Sequence, residues 1–167
     1  MSALEAREFA VEAHGDQRYG DAPYSVHLDA VAEIAAPFGE TAQIIAFLHD
    51  TVEDTAVTVE QVRERFGALV AECVGLLTDA PGANRKERKA KTYARLAEVR
   101  GEAELALIVK VADRLANVRA SARDGNAGLL GMYRGEQAAF RGAAFRAGRC
   151  DGLWQELERL LGGSDLP

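Results

Sequence analysis

Ile44-Ile45-Ala46-Phe47-Leu48-His49-Asp50-Thr51-Val52-Glu53-Asp54 is an apolar helix that ends in charge. Ala42, Ile44, Ile45, Ala46, Phe47 and Leu48 cover most of a helical wheel, and a helix apolar all round is a buried one. Its last turns then carry a histidine and three carboxylates. With the helix continuing through Asp54, Glu53 falls one turn past His49 and Asp54 one turn past Asp50, so the four share a patch. Charges at the end of a buried helix require partners, and a metal ion is an obvious one. The plain alternative is a core helix that frays into a solvated acidic loop.

The 167 residues are enough for one domain with a substantial core. The expectation is a single domain over 1–167, with its core at about 3–123 and C-terminal helices over 126–161. Hydrophobic residues make up 48% and charged residues 28%, the balance of an ordinary soluble globular protein. A net charge of −6 argues against general nucleic-acid binding, which leaves a basic footprint. No apolar run reaches the length of a membrane span, and Met1-Ser2-Ala3-Leu4-Glu5-Ala6-Arg7-Glu8 has neither a basic start nor an apolar signal core. A cytoplasmic protein without membrane or nucleic-acid partners is expected, and a homo-oligomer is left open. Cys73 and Cys150 are the only cysteines and lack ligand spacing, so they read as reduced core thiols.

Upstream of the charged helix, residues 3–14 read as a first helix closed by His14-Gly15, where the dipole favours a histidine. Asp16-Gln17-Arg18-Tyr19-Gly20-Asp21-Ala22-Pro23 is a polar loop. A helix from Tyr24 to about Ala36 follows, with Tyr24, His27, Val31 and Ile34 on its inner face. His27 in that setting is a satisfied core residue unless other ligands converge on it. Downstream, Thr58 and Gln61 form a capping-box pattern, and further helices are expected at 58–66 and 68–77.

Asp79-Ala80-Pro81-Gly82-Ala83-Asn84 breaks the chain, and the basic run Arg85-Lys86-Glu87-Arg88-Lys89-Ala90-Lys91 follows it. Such a run is either a solvated helix face or a phosphate clamp. A long helix over about 103–122 places Asp113 among Val109, Ala116, Asn117 and Ala120, with Lys110 and Arg114 to one side where they reach solvent. A carboxylate among apolar neighbours is costly unless paired or metal-bound. Residues 125–131 read as a connection or a broken helix start, followed by helices at 132–145 and 151–161. With no strand-period stretch of any strength, the fold class is all-α, a bundle of about eight to nine helices.

Three helices thus each aim ligand-type residues inward: His27, the pair His49-Asp50, and Asp113. Two imidazoles and two carboxylates suffice for one divalent ion with open positions, and this mixed set suits Mn²⁺, Fe²⁺ or Zn²⁺ better than Ca²⁺.

Tyr24-Ser25-Val26-His27, Phe47-Leu48-His49-Asp50-Thr51-Val52-Glu53-Asp54-Thr55 and Val109-Lys110-Val111-Ala112-Asp113-Arg114-Leu115-Ala116-Asn117-Val118-Arg119 resemble the successive motifs of the HD-domain phosphohydrolases. Within these the pattern is most similar to the RelA/SpoT-type (p)ppGpp hydrolase branch, which includes small alarmone hydrolases. The resemblance implies an HD-domain helical bundle with one Mn²⁺ that hydrolyses guanosine 3′,5′-bis(diphosphate), ppGpp or pppGpp, to GDP or GTP and pyrophosphate. It matches His27, His49, Asp50 and Asp113 to the metal ligands, and Glu53 and Asp54 to the pair that handles the attacking water. It also matches Arg18 to a contact with the guanine base, Asn117 to a contact with the nucleoside, and Arg88 and Lys89 to a basic pair that meets phosphate. At this length a hydrolase without a synthetase or regulatory domain is expected.

The departures concern the base. Many relatives have Arg-Lys where this chain has Arg18-Tyr19, and Ala120 stands where some carry a polar residue. Tyr19 either stacks on a base or marks a different substrate. Two other functions stay in play: an HD-domain phosphohydrolase acting on NADPH, a dNTP or an NMP, and a nucleotide-binding regulator that does not hydrolyse.

Overall fold

The computed structural model describes residues 1–162. The helices begin where side chains can satisfy free backbone N–H groups. Helix α1 (Ala3–His14) opens on a capping box between Ser2 and Glu5, and α5 (Val59–Phe66) on the expected one between Thr58 and Gln61. Asn84 caps α7 (Arg85–Ala97) through the Glu87 N–H. Between α2 (Ser25–Ala35) and α3 (Glu40–Leu48), a single 3-10 turn, Ala36–Phe38, accommodates Pro37 and ends at Gly39, whose φ of 105° turns the chain into α3.

Helix α3 is the centre of the fold. Ile45, Ala46 and Leu48 are fully buried, and α1, α2, α6 (Ala68–Leu77) and α8 (Leu105–Arg123) pack around it. α8 is the second core helix and also packs against α2, α6, α9 (Ala127–Ala144) and α10 (Asp151–Leu160). At that end the core becomes aromatic: Phe140 lies 5.1 Å from Trp154 and 5.8 Å from Tyr93, centroid to centroid. Arg146 ties this end to α7 by donating to the carbonyls of Leu96, Ala97 and Val99. Cys73 and Cys150 are free and buried, as expected.

Four local features differ from the sequence reading. The helix expected to run through Asp54 breaks at His49-Asp50 and resumes as α4 (Thr51–Asp54). Two side chains take the helix carbonyls at the break: His49 Nδ1 lies 2.6 Å from the Ala46 oxygen, and Thr51 Oγ1 donates to the Leu48 oxygen at 2.7 Å. Counting α3 and α4 as one rod leaves nine α-helices among the described residues. The polar loop contains a small hairpin, with β1 (Arg18–Tyr19) antiparallel to β2 (Ala22–Pro23), too short for any strand period to register.

The remaining two concern α8 and α9. Residues 127–131 are helical because the Asn126 side chain accepts from the Leu129 N–H at 3.0 Å. That cap, worth about 1 kcal/mol, offsets part of the helix cost of Gly128 and Gly131, each about 1 kcal/mol. Lys110 and Arg114, expected to reach solvent, are buried. Lys110 Nζ donates to the Leu77 oxygen. Arg114 donates to Tyr93 Oη at 2.9 Å, pairs with Glu136 at 3.0 Å, and lies against the rings of Tyr133 and Phe140. These partners come from α6, α7 and α9, which no wheel of α8 alone reveals.

Candidate metal centre

The break at His49-Asp50 builds the site. Successive residues on an unbroken helix point about 100° apart and cannot face one centre. At the break, Asp50 adopts φ −102° and ψ −3°, and its Oδ2 comes to 2.9 Å from His49 Nε2. α2 supplies His27 and α8 supplies Asp113, whose Oδ1 lies 3.1 Å from His27 Nε2 and 3.6 Å from His49 Nε2. His27 Nε2 is 3.8 Å from Asp50 Oδ2. Both imidazoles are buried. One ligand atom each from His27, His49 and Asp50 lies within 4.8 Å of the others, the span of a metal site.

The donor set fits a divalent cation. His49 Nδ1 bonds the Ala46 carbonyl oxygen, which can only accept, so Nδ1 carries a proton. In the neutral ring Nε2 then turns a lone pair toward the oxygens of Asp50 and Asp113, and among the described residues this buried nitrogen has no hydrogen-bond partner of its own. Lone pair facing lone pair is repulsive unless a cation or a proton lies between them. Burial opposes charge on His49, but the Asp50 and Asp113 carboxylates outweigh it and hold its pKa well above the usual value. Again against burial, His49 holds Asp50 down at about 2, and His27 with His49 holds Asp113 well below its usual range. Positive charge at this point is thus favoured from every side.

Several residues around the cluster were not singled out in the sequence as site residues. Tyr24, the N-cap residue of α2 and one turn before His27, donates its hydroxyl to Asp50 Oδ2 at 2.5 Å. Burial and the Asp50 carboxylate raise its pKa, so it remains a donor. Gln17 Nε2 donates to Asp54 Oδ2 at 2.9 Å. Asp79, in the loop before α7, donates its N–H to Glu53 Oε1 at 2.5 Å and accepts from Lys89 at 2.7 Å. The inner-face position of Tyr24 was the one signal available for these contacts. The others join residues far apart in the chain.

Glu53 and Asp54 stand at the mouth on α4, both exposed. Partial desolvation by the surrounding protein raises the pKa of Glu53, and the carboxylates of Asp79 and Asp50 add to this against the Asp79 N–H. Tyr19 stacks on His27 with centroids 4.8 Å apart and planes 16° apart. Its hydroxyl donates to Asn117 Oδ1 at 2.7 Å, and Asn117 Nδ2 donates to Asp113 Oδ1 at 2.9 Å. Tyr19 and Asn117 also line a groove of about 640 Å³ bounded by Val26, Ala120, Arg123 and Tyr133.

Not every expected contact residue reaches the centre. Arg18 is exposed and donates to the Asp21 carbonyl within its hairpin. The basic run is largely paired: Lys89 with Asp79, Arg85 with Glu136, and Lys91 with Glu87. Arg88 packs on the turn at Gly82, where an added Cβ would lie 2.9 Å from the Arg88 nitrogen.

Fold and site together define a helical domain built round a histidine–carboxylate centre for a divalent metal. The family model described as HD domain matches residues 6–140, and the chain belongs to that family. Among curated relatives, the guanosine-3′,5′-bis(diphosphate) 3′-pyrophosphohydrolase of Aquifex aeolicus is 39% identical over 117 residues, covering 68% of this chain and 17% of the relative. The enzyme of the same description from Danio rerio, MESH1, is 38% identical over 123 residues, covering 70% of this chain and 67% of the relative. A solved structure described as a metazoan ortholog of SpoT that hydrolyzes ppGpp superposes with a TM-score of 0.75, 24% identity and 96% coverage of both chains, which shows a shared fold. Among the described residues no helix is long and apolar enough to cross a membrane.

Proposed function

We propose that this chain is a metal-dependent hydrolase of guanosine 3′,5′-bis(diphosphate) and its 5′-triphosphate analogue, releasing pyrophosphate from the 3′ position to leave GDP or GTP. The observation that carries the reading is the contiguity of two sites. The cluster of His27, His49, Asp50 and Asp113 adjoins the 640 Å³ groove through Tyr19 and Asn117. The curated relatives named for this activity support it. The mixed nitrogen and oxygen donors suit Mn²⁺, Fe²⁺ or Zn²⁺, and Mn²⁺ is the ion that the family resemblance implies.

A divalent ion held by the four side chains supplies a lowered pKa for water and neutralisation of phosphoryl charge. The chain's own residues do the rest. Water oxygen bonds to the phosphorus attached to O3′, the P–O3′ bond breaks, and O3′ takes up a proton. Glu53 and Asp54 accept the proton that the water loses. Glu53 already has one oxygen on the Asp79 N–H, and its raised pKa brings it nearer the working pH of a general base. Asn117 and Tyr19 place the nucleoside in the groove, with Arg18 at its outer edge. Lys89, paired with Asp79 beside Glu53, and its neighbour Arg88 meet the phosphates in this reading, Lys89 exchanging its Asp79 partner for phosphate oxygen. The substrate is a free nucleotide, which agrees with a cytoplasmic enzyme.

Tyr19 favours a second reading, a different nucleotide such as NADPH, a dNTP or an NMP, because an aromatic occupies the position where many relatives carry lysine. The test is a panel of ppGpp, pppGpp, NADPH, dNTPs and NMPs with Mn²⁺-loaded protein, and His49→Ala and Glu53→Ala as controls. Pyrophosphate with GDP or GTP supports the first reading. Orthophosphate from another member supports the second, and binding without turnover throughout would make the chain a regulator.

A further inference from the structure

Gln17 lies just after α1 with its amide turned two ways. Its Oε1 is 2.8 Å from His14 Nδ1, and its Nε2 donates to Asp54 Oδ2 at 2.9 Å. An amide oxygen only accepts, so His14 Nδ1 carries a proton and fixes which way the Gln17 amide faces. The main chain of Gln17 is held equally firmly. Its N–H donates to the His14 oxygen at 3.0 Å, and its oxygen accepts from the Tyr24 N–H at 3.0 Å. His14 is buried, its ring tilted against Tyr24 at 4.6 Å between centroids. Among the described residues its Nε2 has no hydrogen-bond partner, and Gln17 receives the one side-chain hydrogen bond the ring makes.

This apparatus converges on an exposed carboxylate. Asp54 ends the four-residue α4 and, without Gln17, would turn freely in solvent. A hydrogen bond to an exposed carboxylate adds little to stability, so a buried histidine and a glutamine clamped at both main-chain groups are more than a surface tether requires. With Oδ2 engaged by Gln17, Oδ1 is the Asp54 oxygen left for the attacking water.

We infer that His14 and Gln17 are a positioning pair for Asp54: they orient its carboxylate so that one defined oxygen faces the attacking water beside Glu53. The inference rests on the proposed hydrolase reading, in which Asp54 handles that water. Neither residue touches the substrate. His14 acts through Gln17, and Gln17 through Asp54.

Four variants of the full chain, loaded with Mn²⁺ and assayed with ppGpp, test the pair. Gln17→Glu keeps the size and sets a carboxylate against Asp54, while Gln17→Met removes the donor. His14→Phe keeps a ring against Tyr24 and removes the Nδ1 proton. His14→Asn restores an N–H near the position of Nδ1. Misplacing a group that handles the attacking water is expected to lower kcat by up to about a hundredfold in the first three. KM, bound metal and melting temperature should stay near wild type, and His14→Asn should recover most of kcat. Wild-type kcat in Gln17→Met and His14→Phe overturns the pair alone. So does a joint fall of kcat, metal content and melting temperature, the signature of a structural role. A wild-type protein inert toward ppGpp overturns the hydrolase reading and the pair with it.

Discussion

Tyr19 lies flat on His27, with ring centroids 4.8 Å apart and 16° between planes, and reaches past it to donate to Asn117. One side chain thereby forms both a wall of the histidine–carboxylate cluster and a wall of the adjoining groove. Burial raises its pKa to about 12, so the hydroxyl is a donor at neutral pH. Tyr19→Phe keeps the stack and frees Asn117 Oδ1. We expect bound metal to stay at the wild-type level while KM for the nucleotide shifts. Tyr19→Lys should raise the ratio of kcat/KM for ppGpp to that for NADPH, because it adds a cation facing a highly charged substrate. A ratio that falls would assign the tyrosine to a different substrate.

Asp113 is the α8 contribution to the cluster, 3.1 Å from His27 and 3.6 Å from His49. Asp113→Asn keeps the shape and removes the charge. Metal per chain, measured by elemental analysis after gel filtration, should drop well below that of wild type. Full retention would remove Asp113 from the ligand set.

Tyr24 holds Asp50 through a 2.5 Å hydrogen bond. Groups that orient a metal ligand contribute roughly ten- to a hundredfold to metal affinity. Tyr24→Phe should weaken Mn²⁺ binding by about that factor in a competitive chelator titration, with little change in the helical circular dichroism. The packing of Tyr24 on His14 and His27 is retained by phenylalanine.

Glu136 lies between Arg85 and Arg114 at 2.7 and 3.0 Å. Burial opposes its charge, but the two guanidinium groups outweigh burial and hold its pKa below the usual 4.5. A carboxyl whose folded pKa is depressed stabilises the fold fully above its unfolded pKa and loses that contribution as pH falls through the folded value. Asp79, lowered from 3.8 mainly by Lys89 against the opposing effect of burial, behaves the same way. Stability to urea should therefore decline as pH falls below about 4.5, the ordinary carboxylate pKa. Glu136→Gln should be less stable at neutral pH and show a shallower decline. An unchanged slope would show that the Arg85–Glu136–Arg114 network does not set acid stability.

Much of the architecture was legible because it depends on local order. The all-apolar face of residues 42–48, the Thr58/Gln61 box and the inward aim of His27 and Asp113 all follow from residues within a turn or two of each other. The histidines and carboxylates of the cluster, and the separate helices that carry them, could be read for the same reason. The break at His49-Asp50 was not legible, since it depends on side chains capping carbonyls that a helical wheel treats as already bonded. Nor were Tyr24 on Asp50, Gln17 on Asp54 or Glu53 on the Asp79 N–H, contacts that exist only once the helices have packed. The burial of Lys110 and Arg114 belongs with these. Long cationic side chains were assigned to solvent by type, whereas carbonyl, carboxylate and aromatic partners on three other helices enclose them.

The central claim is that water attacks phosphorus at the 3′ position and releases pyrophosphate, and hydrolysis in ¹⁸O-labelled water tests it most directly. With Mn²⁺-loaded protein and ppGpp, mass spectrometry should find one ¹⁸O in pyrophosphate and none in GDP, and no product should form with His49→Ala. Labelled GDP, orthophosphate in place of pyrophosphate, or equal turnover by His49→Ala would contradict it.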